Sequence, residues 1–197
     1  VKAGVTDPRA TRRRVLLIGW DFDTRIHLLR GRRWYQKGIN RQYPSRLGSF
    51  FVWLVRHNPD LELKILKWGF GMLKLGLRGS MLMDLARWFP HRRIDFKFDN
   101  AHPIGCSHHQ KIVVLDDTVA VCGGIDMTDR RWDTPEHKEQ DKRRRRPWGA
   151  LHGPWHDITM IMEGPIAGAL QELGRDRWRR AGGGDLPRVE GCTDSAW

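Results

Sequence analysis

The chain is poor in cysteine. Cys106, Cys122 and Cys192 are the three it has in 197 residues, an odd count at wide spacing. That excludes a disulfide framework and points to a reducing compartment, so a cytoplasmic or peripheral-membrane location is expected. Cys106, close to His108 and His109, fits no standard zinc spacing, and no metal site is expected. Apolar runs are short, none reaching the ~18 residues that a spanning helix needs. No secretory leader is legible, and a chain that opens on Val1 rather than Met is expected to have lost its natural start. Acidic residues are scarce too: 23 Asp and Glu against 35 Lys and Arg leave a net charge of +12. Such a surplus suits phospholipid headgroups, nucleic acid and phosphate esters alike.

What is abundant is tryptophan, with 10 residues, most of them expected in packing. Buried-strand patterns cover residues 14–20, 61–68, 94–98, 109–115, 118–122 and 155–162. Helical patterns cover residues 45–57, with Ser45 as N-cap and Asn58-Pro59 as the stop, and 70–89, with Phe70, Leu73, Leu77, Met81, Leu85 and Trp88 on one stripe. That stripe faces the core or, helped by Lys74, Arg78 and Arg87, a membrane surface. A last helix starts at Pro165, with Ile166, Ala169, Leu170 and Leu173 as its buried stripe and the arginines of 175–180 set against its C-terminal dipole. Between the strands, residues 25–44 are basic and irregular, with Arg30, Arg32, Arg33, Lys37 and Arg41, and residues 127–153 form a long polar segment of the kind that carries function. Strands alternating with helices imply an α/β fold, and a hairpin turning at Asp116-Asp117 makes the sheet mixed. Residues 1–184 read as one domain and 185–197 as a tail or linker.

The chemistry is concentrated in His109-Gln110-Lys111-Ile112-Val113-Val114-Leu115-Asp116, which fits the pattern H-x-K-x4-D. In a strand His109 and Lys111 share a face. An imidazole beside an ammonium suits attack on a phosphate, the ring acting as nucleophile and the cation holding anionic oxygens. Asp116 completes the pattern at the hairpin turn, where a carboxylate serves as an anchor more readily than as a proton handler. A nucleophilic imidazole also needs an orienting partner, and Asp126 and Asp133 are the candidates. Gly123 and Gly124 allow close backbone approach. Asp21 and Asp23, at the end of the first strand, are placed to line a cleft. The run Lys142-Arg143-Arg144-Arg145-Arg146 is a solvated loop or an anionic-surface contact, and it would attract nucleic acid equally.

Gly123-Gly124-Ile125-Asp126, Arg131-Trp132-Asp133-Thr134-Pro135-Glu136-His137 and Trp155-His156-Asp157 follow the H-x-K-x4-D run in order. In this arrangement the chain, from about Val15 to Arg180, resembles the phospholipase D superfamily, marked by its H-K-D motif, and within it the phospholipase and cardiolipin synthase-like branch. The resemblance implies a mixed sheet between helical layers (an α/β/α half), a phosphohistidine on His109, catalytic support from Lys111 and Asp116, and no cofactor. Many members have Asn where Asp126 stands, and an Asp there must bond a histidine or a lysine to avoid repelling phosphate. His108, His137 and His156 are expected in supporting positions. The resemblance further implies a site built from two H-K-D motifs, and this chain carries one. It is therefore expected to pair with a second H-K-D half, in cis or as a homodimer, and to act as a phosphodiesterase or phosphatidyltransferase on phospholipid. The alternatives are a homodimeric nuclease and a non-catalytic phosphate- or lipid-binding half.

Overall fold

Residues 14–19 are apolar on both faces, and a strand of that kind is stable only at the centre of a sheet covered on both sides. The computed structural model, which describes residues 13–28, 43–69 and 79–189, places it there. The strands are β1 (Arg14–Gly19), β2 (Glu62–Trp68), β3 (Ile94–Asp99), β4 (Ile112–Leu115), β5 (Val119–Gly123) and β6 (Thr159–Glu163), in the order β3-β2-β1-β4-β5-β6. β1, β2 and β3 run parallel, and β4, β5 and β6 add antiparallel neighbours, so the sheet is mixed as expected. Val15, Leu17, Leu63 and Ile65 pack under α1 (Leu47–His57) and α2 (Gly79–Trp88), with Phe51, Val55 and Trp88. Leu16, Ile18, Leu66, Ile112 and Val114 pack on the other face under α3 (Pro165–Arg180), with Ala167 and Trp178. Helices thus sandwich the sheet.

Several boundaries differ from the sequence reading. His109 and Lys111 precede β4, which starts at Ile112, and Trp155-His156-Asp157 precede β6. Ser45 is not the cap of α1: Arg46 holds that position with no side-chain cap, and the Ser45 hydroxyl lies 3.3 Å from His27 Nδ1. The buried stripe of α3 is Ala167, Gln171, Gly174 and Trp178, while Ile166, Ala169 and Leu173 are exposed. The helix is rotated because Gly174 crosses directly over Leu16: a Cβ there would sit 2.5 Å from Leu16 Cδ2. Its arginines are likewise committed elsewhere. Arg177 pairs with Asp99, and Arg175 with Asp117 and Glu172. Leu85 and Trp88 turn toward the core, as one reading of their stripe had it. Residues 70–78, the Met81 side chain, Cys192 and the arginines and lysine of 30–41 lie outside the described residues. No helix among the described residues is long and apolar enough to cross a membrane.

The register sorts the loops. The C-terminal ends of β1, β2, β3 and β5 and the N-terminal ends of β4 and β6 meet at one edge of the sheet, with Gly19 beside Lys67, Trp68 beside Asp99 and Gly123 beside Thr159. The opposite edge holds the β4–β5 turn, where Asp116 (φ +48°) and Asp117 (φ +61°) both take left-handed backbone, as a type I′ hairpin demands. Asp116 Oδ1 accepts the backbone N–H groups of Arg13 (3.0 Å) and Arg14 (2.7 Å), tying the start of β1 to the end of β4. We therefore predict that Asp116→Ala lowers unfolding stability by roughly 1–3 kcal/mol, the cost of stranding buried donors. A denaturant midpoint measures it, and activity per folded molecule stays within about twofold of wild type. A variant as stable as wild type would show that the anchor contributes nothing.

Candidate active site

The edge where β1 ends and β4 begins collects charge that the core cannot accept. Lys111 is buried, with 7 % of its side chain exposed, and its ammonium lies 3.3 Å from Asp126 Oδ2 and donates to His109 O at 3.1 Å. An ammonium has three N–H donors, so one remains for a substrate oxygen. Asp126 Oδ1 accepts the backbone N–H groups of Trp20 (3.0 Å) and Asp21 (3.1 Å). Asp126 is thus bonded to a lysine and two amides, which meets the condition for a carboxylate near a phosphate site. A second pair stands alongside: Lys67 Nζ lies 3.0 Å from Asp21 Oδ1, and Thr128 Oγ1 donates to Asp21 Oδ2 at 2.8 Å. Lys67 was not singled out in the sequence, because a lysine ending a strand is ordinarily a snorkelling surface cation. The available signal was its place at the strand's C-terminal end.

His109 is exposed, and its ring meets Trp20 edge to face, with centroids 5.5 Å apart. Trp20 stacks on Trp68 at 5.4 Å, and Trp68 Nε1 donates to His102 Nε2 at 2.9 Å. Among the described residues no group hydrogen-bonds the His109 ring. Asp126 is taken by Lys111 and Asp133 by other partners, and aromatic packing fixes the imidazole instead. His108 Nε2 lies 3.3 Å from Ala101 O and 4.0 Å from Asp99. Asp23 holds Arg25 in a two-pronged pair that raises the guanidinium pKa. Asp116 lies at the far end of β4, about 15 Å from Lys111 at a strand's rise per residue.

The β5–β6 connection folds around its own polar centre. Asp133 Oδ1 pairs with fully buried Arg144 at 3.0 Å, while its Oδ2 meets His137 Nδ1 at 3.0 Å and the Trp155 amide at 2.8 Å. Arg144 also donates to the carbonyls of Lys138 and Glu139. His137, at φ +41°, in turn meets His156 Nδ1 through Nε2 at 2.9 Å, so a chain Asp133–His137–His156 runs from the interior to solvent. With Nδ1–H of His137 given to Asp133, the neutral pair has His156 donating inward and its own Nε2 open to accept a proton. The Trp155–Ile158 segment lies against the catalytic edge: Gly124 N donates to Ile158 O, and the Asp157 carboxylate fills the place a Cβ on Gly124 would need. Gly123 is equally tight against Ile158 O and Thr159.

The basic run divides among several partners. Arg144 is interior, Arg146 pairs with Asp129 at 2.8 Å, and Arg143 pairs with Asp141, whose pKa that guanidinium pulls down to about 2. Lys142, Arg143 and Arg145 are exposed. Among the described residues no group of His, Cys, Asp and Glu could hold a metal ion. A cleft lined by Trp53, Arg56, His57, Arg87 and His91 shares no residue with the catalytic edge.

Burial pushes the Asp133 carboxyl up, but hydrogen bonds from His137, Thr134, Trp155 and Arg144 together outweigh that and hold it well below the usual carboxylate range. A folded-state pKa below the unfolded one adds stability that is complete above about pH 4 and lost as pH falls further. Asp133→Asn is therefore expected to cost roughly 1–3 kcal/mol near neutrality. The gap from wild type should hold steady above about pH 4 and narrow progressively as pH falls below it in denaturant titrations. A gap of constant width would mean that Asp133 is not the ionised partner.

The phospholipase D family model matches residues 91–195, more than half of the chain. Phospholipase D alpha 1 of Zea mays is 35% identical over 205 residues, covering 88% of this chain, and that of Ricinus communis is 28% identical over 196 residues, again covering 88%. In both cases the chain spans 21% of the relative's length. The crystal structure of a phospholipase D family member, Nuc from Salmonella typhimurium, superposes with a TM-score of 0.50 at 13% identity, covering 91% of this chain and 85% of that one.

Proposed function

The chain belongs to the phospholipase D superfamily, and from that premise we propose that it is one catalytic half of a phospholipase D-type phosphodiesterase and phosphatidyltransferase acting on phospholipid. The observation that carries this reading is the juxtaposition of an exposed imidazole, His109, with a buried ammonium, Lys111, whose carboxylate partner is already saturated by two backbone amides. A ring nitrogen of His109 attacks phosphorus, and the phosphorus–oxygen bond to the headgroup alcohol breaks. Lys111 holds a non-bridging oxygen through its remaining N–H. The departing alkoxide takes its proton from the histidine of a second H-K-D half. That group then deprotonates the water or alcohol that displaces His109, which leaves with the electron pair of the phosphorus–nitrogen bond. Neither a metal nor a cofactor enters these steps.

A second half, in cis or from another copy, is supported by β6. This edge strand leaves Met160 and Ile161 exposed at 56 % and 43 %, with Ile158 just before it at 75 %, along a ladder that no described strand pairs, and bare apolar edges ordinarily acquire a partner. A homodimeric nuclease would use the same chemistry on another diester. The similarity to phospholipase D alpha 1 of Zea mays over 88% of the chain favours lipid.

The paired enzyme is expected to release phosphatidic acid from phospholipid vesicles and to form a phosphatidyl-alcohol when a primary alcohol is added. His109→Ala should lower turnover at least about a thousandfold while the fold persists, and a covalent phosphoenzyme trapped by acid should vanish with it. DNA cleavage without phospholipid turnover would transfer the reading to the nuclease, and a folded variant that keeps wild-type turnover would remove His109 as nucleophile.

A further inference from the structure

Two tight turns at the catalytic edge carry large apolar side chains at their tips. In the β3–β4 connection Cys106 N donates to Pro103 O at 3.1 Å and Gly105 takes φ +83°, which leaves Ile104 at the tip, 103 % exposed. In the β5–β6 connection Gly149 N donates to Arg146 O and Arg146 N to Ala150 O, both at 2.8 Å, and Gly149 takes φ +95°. Trp148 sits at that tip, 52 % exposed, with Leu151 beside it at 56 %. Turn tips ordinarily carry Asn, Asp, Ser or Gly, whose polar or small side chains suit water. Two apolar tips thus stand on the edge that also holds His109, placed to meet an apolar partner together.

Trp148 is held firmly. The Arg146 guanidinium lies 3.9 Å from its ring centroid and that of Arg25 lies 5.0 Å away, and Asp129 and Asp23 fix these cations in turn. An indole packed against two guanidinium groups, with Arg145 exposed in the same turn, matches the headgroup layer of a bilayer, where the ring meets the acyl boundary and the cations meet phosphates. Single-stranded nucleic acid is a poorer match. Base stacking uses an aromatic face, and the Arg146 guanidinium already lies against that of Trp148, while Ile104 offers none.

We propose that the Ile104 and Trp148 turns form a two-point anchor that seats the catalytic edge on a phospholipid bilayer surface. The proposal rests on the phospholipid reading above, although its test does not require turnover. Phe89, 90 % exposed beyond α2 at the opposite edge, is the internal control.

The experiment is co-sedimentation of the full chain with large unilamellar vesicles of phosphatidylcholine and phosphatidylserine. Trp148→Ala and Ile104→Ser should each weaken partition about tenfold, and the pair about a hundredfold, on the scale of burying one large apolar side chain. Trp148→Phe should restore most of the loss, and Phe89→Ala should change nothing. Thermal melts verify folding. Because the Ile104 side chain is fully exposed, an environment-sensitive dye on Ile104→Cys, with Cys106, Cys122 and Cys192 replaced by serine, supplies an independent reading by shifting to the blue on vesicles. Wild-type partition by the folded double variant overturns the anchor. So does loss of binding to a single-stranded oligonucleotide with vesicle binding intact. Anchor-dependent partition with no phospholipid turnover by the enzyme paired with its second half would refute the substrate reading and leave the anchor standing, whereas turnover by the paired enzyme with partition indifferent to both tips would do the reverse.

Discussion

The buried pair between Lys111 and Asp126 is the constraint on which the active edge depends. Its carboxylate reaches three parts of the chain at once: the lysine before β4 and the amides of Trp20 and Asp21 after β1. Buried ion pairs add little net stability, because desolvation offsets their attraction, but removing one partner strands the other at a cost of about 3–5 kcal/mol. Such a pair therefore specifies position. It sets where Trp20 lies, and Trp20 in turn sets the His109 ring by edge contact and stacks on Trp68. A ring held by aromatic contact rather than by a hydrogen bond has both its nitrogens free of partners among the described residues.

The sheet separates two tasks between its edges. At one edge the strands terminate in lysines, carboxylates and imidazoles. At the other, short turns such as Asp116-Asp117 close the hairpin, and Asp117 is held by Arg175 from α3. The third member of the H-K-D motif thus belongs to the closing edge and the first two to the reacting edge. Four strand residues of rigid backbone lie between them. The motif spans one complete strand, and its spacing measures that strand's length.

Much of this was legible in the chain. Apolar runs such as Val15-Leu16-Leu17-Ile18 and Ile112-Val113-Val114-Leu115 disclose central strands, since covering both faces requires every residue to be apolar. The hairpin at Asp116-Asp117 and the helix start at Pro165 follow from local backbone chemistry. What escaped depends on partners distant in sequence. The phase of α3 was misread because Gly174, which approaches Leu16, carries no hydrophobicity to mark it. The arginine run looked like one solvated patch, yet each guanidinium has its own carboxylate or carbonyl, and a pattern of five like charges cannot show which one turns inward. Lys67 escaped for the same reason: its burial is decided by Asp21, 46 positions away.

Arg144 at the centre of the β5–β6 connection has a thermodynamic consequence. The sheet layers are held by apolar burial, whose loss on unfolding raises the heat capacity, so their stability follows a curved dome against temperature. The connection is organised instead around a guanidinium, a carboxylate, carbonyls and imidazoles. Exposing polar groups lowers the heat capacity, so opening this loop carries a small or even negative change. One molecule therefore contains two regions with differently shaped stability curves. The interior of the sheet has a temperature of greatest stability, whereas the loop over the reacting edge varies along a nearly straight line.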